Sequence, residues 1–87
     1  YDEALGFYSE AISQEGDGTS EARAILLNNR SQAYLKMNKY TEAESDANDA
    51  IEILKNGSTE SAAALCKKAI FRRALAYQGM GGMMHLT

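Results

Sequence analysis

Eighty-seven residues, twelve of them Asp or Glu and nine Lys or Arg, give a formal net charge of −3, with no proline, one cysteine and one histidine. A chain of that length makes one domain and buries about 60 to 65% of the surface its unfolded form would expose, so its elements must share one core efficiently. The acidic balance excludes the basic footprint of a nucleic-acid binder, Cys66 alone forms no intrachain disulfide, and with only His85 beside it a metal site would rest on carboxylates.

From Tyr1 to Ile12 the apolar residues Ala4, Leu5, Tyr8, Ala11 and Ile12 trace a single helical stripe. Glycines at 16 and 18, with Asp17, Thr19 and Ser20, break it and predict a loop over 15–20. The second helix is expected from Ser20 to Met37. Ala24, Leu27, Ser31 and Tyr34 line one face, and Leu26, Ala33 and Met37 line another, so it has two packing neighbours. Asn38-Lys39 is a short break, because Asn tolerates the left-handed conformation at a helix end.

Tyr40 opens helix three, with the stripe Tyr40, Ala43, Ala47, Ala50, Ile51 and Leu54, and Thr41 and Glu44 have the spacing of a capping box. Asn56-Gly57-Ser58 reads as a turn. Helix four is expected from Thr59 or Ala62 to Gln78, with Ile70, Ala74 and Tyr77 turned inward. Gly79-Met80-Gly81-Gly82 ends it, and Met83 to Thr87 could open a fifth helix. No apolar run approaches the roughly 20 residues of a membrane span, and the start has no targeting pattern. The lone cysteine points to a reducing compartment, cytosol or nucleus. A start without methionine, inside a helical pattern, suggests a piece of a longer chain.

Self-similarity turns this list of helices into an architecture. Tyr1, Glu3, Ala4, Ala11 and Ile12 recur as Tyr40, Glu42, Ala43, Ala50 and Ile51, 39 positions on; Arg30, Ala33, Tyr34 and Met37 recur as Arg73, Ala76, Tyr77 and Met80, 43 positions on. Helices one and three are one kind of element, two and four the other.

This pattern resembles the tetratricopeptide repeat family, whose unit is an antiparallel helix pair of about 34 residues. The family's first helix carries a large apolar residue, a small one four later and an aromatic three beyond; Leu27, Ser31 and Tyr34 match, as do Ile70, Ala74 and Tyr77. Its second helix carries an alanine, a larger residue four later and another alanine three beyond; Ala4, Tyr8 and Ala11 fill those places, as do Ala43, Ala47 and Ala50. The proline that usually closes a unit is absent, and the extra length falls in the loops at 16–20 and 55–62. The resemblance implies an all-α superhelix of antiparallel helix pairs, truncated at both ends: a second helix over 1–15, a full repeat over 20–54, and over 59–87 the next first helix with the start of its mate.

In such a superhelix the first helix of each unit lines a concave face where a peptide lies. Helix three carries Glu42, Glu44, Asp46, Asp49 and Glu52, expected on a solvated convex face, whereas helix four gathers Lys67, Lys68, Arg72 and Arg73. Lys68 and Arg72, four apart, project from one face and can converge on an anion. With Asn29 they are similar to the carboxylate clamp of chaperone-binding family members. That resemblance implies a co-chaperone adaptor working in the cytoplasm, gripping the acidic Glu-Glu-Val-Asp tail of a seventy- or ninety-kilodalton heat-shock chaperone. The family's clamp also draws a lysine and an asparagine from a preceding helix that these residues do not include, so weak peptide binding is expected. The alternative is a structural scaffold that assembles a complex without reading a terminal carboxylate.

The remaining residues point to packing. Arg30 and Arg73, at equivalent repeat positions, should cover apolar surface with their stems. Cys66 reads as a small buried hydrophobe, and His85 as inert. Gly79-Met80-Gly81-Gly82 lacks the lysine and hydroxyl of a phosphate loop, and no nucleophile with its base, carboxylate pair or cofactor motif stands out, so no enzyme activity and no cofactor are expected. Helix faces without a mate suggest self-association of the truncated chain, and Met80, Met83 and Met84 read as part of a truncated helix that has lost its partner rather than as an adaptable binding surface.

Overall fold

The computed structural model describes residues 2–14 and 21–81, apart from the side chain of Asp2. These form four α-helices, α1 (Asp2–Gln14), α2 (Glu21–Lys36), α3 (Tyr40–Leu54) and α4 (Glu60–Gly79), with no strand among the described residues. The chain is all-α, as its periodicity predicts. The loop at 15–20, Met83, Met84, His85 and the expected fifth helix lie outside the described residues.

Local chemistry sets the helix ends. Asn38 adopts φ 60°, and the Lys39 N–H turns back to the Tyr34 carbonyl at 2.9 Å, closing α2 and reversing the chain within three residues. The expected capping box at Thr41 and Glu44 does not form. Because α3 already begins at Tyr40, Thr41 lies within the helix, where its hydroxyl cannot reach forward to orphan N–H groups. It donates to the Met80 sulfur at 3.7 Å instead, while Glu44 accepts from the Asn48 amide at 2.6 Å. At α4 the cap is Thr59, whose extended backbone lets its Oγ1 accept from the Ala62 N–H at 3.0 Å. The turn before it requires glycine, since a Cβ on Gly57 would stand 2.6 Å from that of Ala62.

Side-chain bonds fix how the helices run. Arg23 reaches the Ile12 carbonyl and Arg30 reaches Ser9, so α1 and α2 are antiparallel. Ser31 meets Ala43 and Arg30 meets Asp46, reversing α3 against α2; Arg73 meets Asn48 and Thr41 meets Met80, reversing α4 against α3. Asn28 and Gln32 both reach the Leu65–Arg72 stretch, which lays α4 alongside α2 in the same direction.

Alanines let the backbones come this close. Ala24, Ala43, Ala47, Ala50, Ala69 and Ala76 are fully buried, and Ser31, equally buried, donates to the Ala43 carbonyl at 2.8 Å. Leu27, Leu54, Ile12 and Ala62 fill the core around them, with Leu26, Ile51, Leu65 and a half-buried Cys66 packed against it.

Two expectations need correction. Ile70 and Ala74 are exposed and Tyr77 is half-buried; the side of α4 that faces α2 and α3 is Ala62, Ala69 and Ala76, seven residues apart. Ile70 and Ala74 stand instead on a part of α4 that is open to solvent. Nor is the acidic face of α3 uniformly solvated. Glu42, Asp49 and Glu52 are exposed, but Asp46 is 4% exposed because Arg30 draws it in.

Candidate functional site

The side-by-side arrangement of α2 and α4 leaves an open groove between them, a cavity of about 820 Å³ closed at one end by Tyr40 of α3. Leu35 of α2 and Phe71 and Leu75 of α4 give it an apolar floor; Lys36, Lys67, Lys68 and Arg72 stand around it, and no acidic residue lines it. Phe71 keeps 63% of its surface exposed there. A phenylalanine so open to water beside four cations is costly as a surface and useful as a contact.

Arg72 sits deepest among the basic groups. Its guanidinium donates to the Asn28 side-chain oxygen at 3.2 Å and to the Gln32 side-chain oxygen at 3.0 Å. Both acceptors are neutral, and no carboxylate pairs with Arg72 among the described residues. Burial pushes its pKa below the ordinary guanidinium value, the sign of a charge that has lost water without gaining a counter-ion. Lys68, one turn earlier, is exposed and free to swing toward an anion on the same wall.

Of the three residues singled out from sequence, Lys68 and Arg72 both line the groove. Asn29, half-buried on α2, is not part of that lining; the amide that reaches Arg72 belongs to its neighbour Asn28, which is 3% exposed and donates its own N–H₂ to the Leu65 carbonyl at 3.4 Å. Asn28 and Gln32 were not anticipated. Their spacing of four, continued by Leu35, marks a third face of α2 between the two apolar ones, and that is the signal in the sequence that points to them.

A separate polar system holds the stack in register. Arg30 binds Asp46 through two bonds of 2.7 Å each, donates to Ser9 at 3.1 Å, and lies 5.8 Å from the Tyr34 ring centre. Hydrogen bonding to Asp46 raises its pKa, outweighing the opposing effect of burial. Arg73 repeats half of this. It donates to Asn48 at 3.2 Å, and Asn48 stands 39 positions after Ser9 as Arg73 stands 43 after Arg30. Each arginine therefore reaches a polar residue at the same place on the α1-type helix before it.

No helix among the described residues is long and apolar enough to cross a membrane, and no group of three or more metal-ligating side chains occurs among them.

No family model matches the chain, and no solved structure matches it. Among curated proteins it is similar to protein unc-45 homolog B of Danio rerio, 34% identical over 80 residues that make up 92% of this chain. It is 35% identical over 81 residues to the proteins of that name from Xenopus tropicalis and Xenopus laevis, over 93% of this chain in each case. The chain spans 8% of the length of each of these relatives.

Proposed function

We propose that this chain is part of a tetratricopeptide-type adaptor surface that holds the acidic C-terminal tail of a partner, of the Glu-Glu-Val-Asp kind carried by seventy- and ninety-kilodalton heat-shock chaperones, in the cytoplasm. The observation that carries the reading is Arg72: a partly buried guanidinium, supported by two neutral amide oxygens, beside Lys68 in a groove without carboxylates. A terminal carboxylate meeting that fork gains charge-assisted hydrogen bonds that no side chain of the groove supplies. Phe71 and Leu75 offer an apolar surface to the tail's valine. Asn28 and Gln32 keep Arg72 aimed, with Asn28 in the role that the resemblance gave to Asn29. Similarity to one short stretch of much longer relatives fits a module that recruits a partner for the rest of a longer protein.

The test is a fluorescence anisotropy titration with a labelled Glu-Glu-Val-Asp peptide. Arg72→Ala should weaken binding by about tenfold or more, as expected for loss of one partly desolvated ionic anchor. Equal binding by the wild type and by Arg72→Ala removes the clamp and leaves a scaffold that assembles through other surfaces.

A further inference from the structure

The basic groups of the α2–α4 groove stand at more than one level. The bond from Arg72 to Gln32 puts those two residues level on the parallel pair, so Lys68 lies one helical turn before them and Lys36 one turn beyond, about 6 Å away on either side. Between Arg72 and Lys36 the groove is apolar, floored by Leu35, Phe71 and Leu75, and Tyr40, packed on Gly79, closes it at the Lys36 end. Lys36 is exposed and has no carboxylate partner among the described residues. It is not one of the groups that the clamp resemblance assigns.

We infer that Lys36 is a specificity-determining residue, a second anion subsite that reads the acidic side chain three residues before the chain end. The inference rests on the chain-end reading of the groove. A terminal carboxylate shared by Lys68 and Arg72 sits about 3 Å before the Arg72 level, hence about 9 Å from that of Lys36, and an extended peptide covers that distance in roughly three residues. Alternation of side chains then assigns the positions. Residues one and three before the end share a side of an extended chain, and the residue between them faces the other way. In Glu-Glu-Val-Asp this lays the valine on Phe71 and Leu75, carries the first glutamate to Lys36 and turns the second glutamate outward. A slip of one residue would set a glutamate on the apolar floor, which costs its desolvation. The groove thus selects an order of side chains, with an acid and an apolar residue two apart before the chain end, rather than net negative charge.

The probes are Glu-Glu-Val-Asp, Gln-Glu-Val-Asp and Glu-Gln-Val-Asp, each joined to a fluorophore through a flexible Gly-Ser spacer and titrated into the wild-type chain and into Lys36→Ala. Replacing the first glutamate should weaken binding to the wild type about threefold, the scale of a solvent-exposed ion pair. Replacing the second should change it less. In Lys36→Ala the first replacement should have no effect. Lys36→Glu should bind Lys-Glu-Val-Asp more tightly than the wild type does, a recovery that loss of folding would not give. If Lys36→Ala weakens all three peptides by one common factor, or if Lys36 couples to the second glutamate instead, the inference is overturned and the clamp stands. Amidated peptides that bind as well as free ones, or no saturable binding up to millimolar peptide, would remove the clamp and this subsite with it.

Discussion

Arg30 and Asp46 form a two-pronged ion pair between α2 and α3, both N–O distances 2.7 Å, with the carboxylate side chain 5% exposed and the arginine 21%. Its two charges differ in how they are compensated. The guanidinium also reaches Ser9 and lies over Tyr34, whereas Asp46 depends on Arg30. Asp46→Ala therefore leaves a half-buried cation without its counter-ion and should destabilise the fold by about 2–4 kcal/mol. Replacing both partners, Arg30→Met with Asp46→Ala, should cost clearly less than the sum of the single changes, because the stranded charge goes too. Urea denaturation of the four proteins measures this; additive costs would show that the pair is not coupled.

Gly79 lies against the ring of Tyr40, so that a Cβ added there would run into the ring. Inside a helix, alanine in place of glycine ordinarily stabilises by about 0.5–1 kcal/mol. Here we expect the opposite sign. Gly79→Ala should lower the thermal midpoint, and in a Tyr40→Ala background the same substitution should raise it. A stabilising Gly79→Ala in the wild type would show that Tyr40 moves aside freely.

At the other end of α4, Thr59→Ala removes the side-chain acceptor of the Ala62 N–H in the first turn. The expected loss is about 1 kcal/mol. Thr59→Ser should retain most of it, while Thr41→Ala, on α3, should cost little because Thr41 caps nothing. Comparing the three by chemical denaturation separates the cap that forms from the one that the spacing at Thr41 and Glu44 suggested.

Ser31 of α2 packs against α3, its hydroxyl donating to the Ala43 carbonyl, and both residues are fully buried. Ser31→Ala should cost about 1 kcal/mol, for one hydrogen bond. Ser31→Leu should cost about 2–3 kcal/mol or prevent folding, because no space exists for the added carbons. Circular dichroism melts of the two variants test this, and a Leu variant as stable as the Ala one would contradict the packing described.

What could be read from the chain without coordinates was what depends on period and repetition. The alanine stripe of α3 follows from residues at fixed spacing and the break at Asn38 from asparagine's tolerance of a left-handed backbone, and both are present; the pairing of α2 with α3 is what the family resemblance implies. Three things escaped. Thr41 has the spacing of a capping residue, but the helix starts one residue earlier, and helix ends are set by how the chain enters the turn. Asp46 reads as one acid among five until a partner on another helix is known. Ile70, Ala74 and Tyr77 match Leu27, Ser31 and Tyr34 of α2 in position and kind, yet burial depends on a neighbour, which likeness of residue type does not supply. The groove was legible in part: Lys68 and Arg72 follow from charge spacing on one helix, whereas the meeting of Arg72 with Asn28 depends on which face of α2 meets α4, and Asn28 and Asn29 lie about 100° apart around that helix.

The claim on which the functional reading rests is that the α2–α4 groove recognises a chain-end carboxylate through Lys68 and Arg72. The most direct measurement compares one Glu-Glu-Val-Asp peptide with a free and with an amidated C-terminus, titrated into the same protein under identical salt. The account predicts that amidation weakens binding by about tenfold or more, and that Lys68→Ala narrows the gap between the two peptides. Indistinguishable affinities for the free and amidated peptides would contradict it.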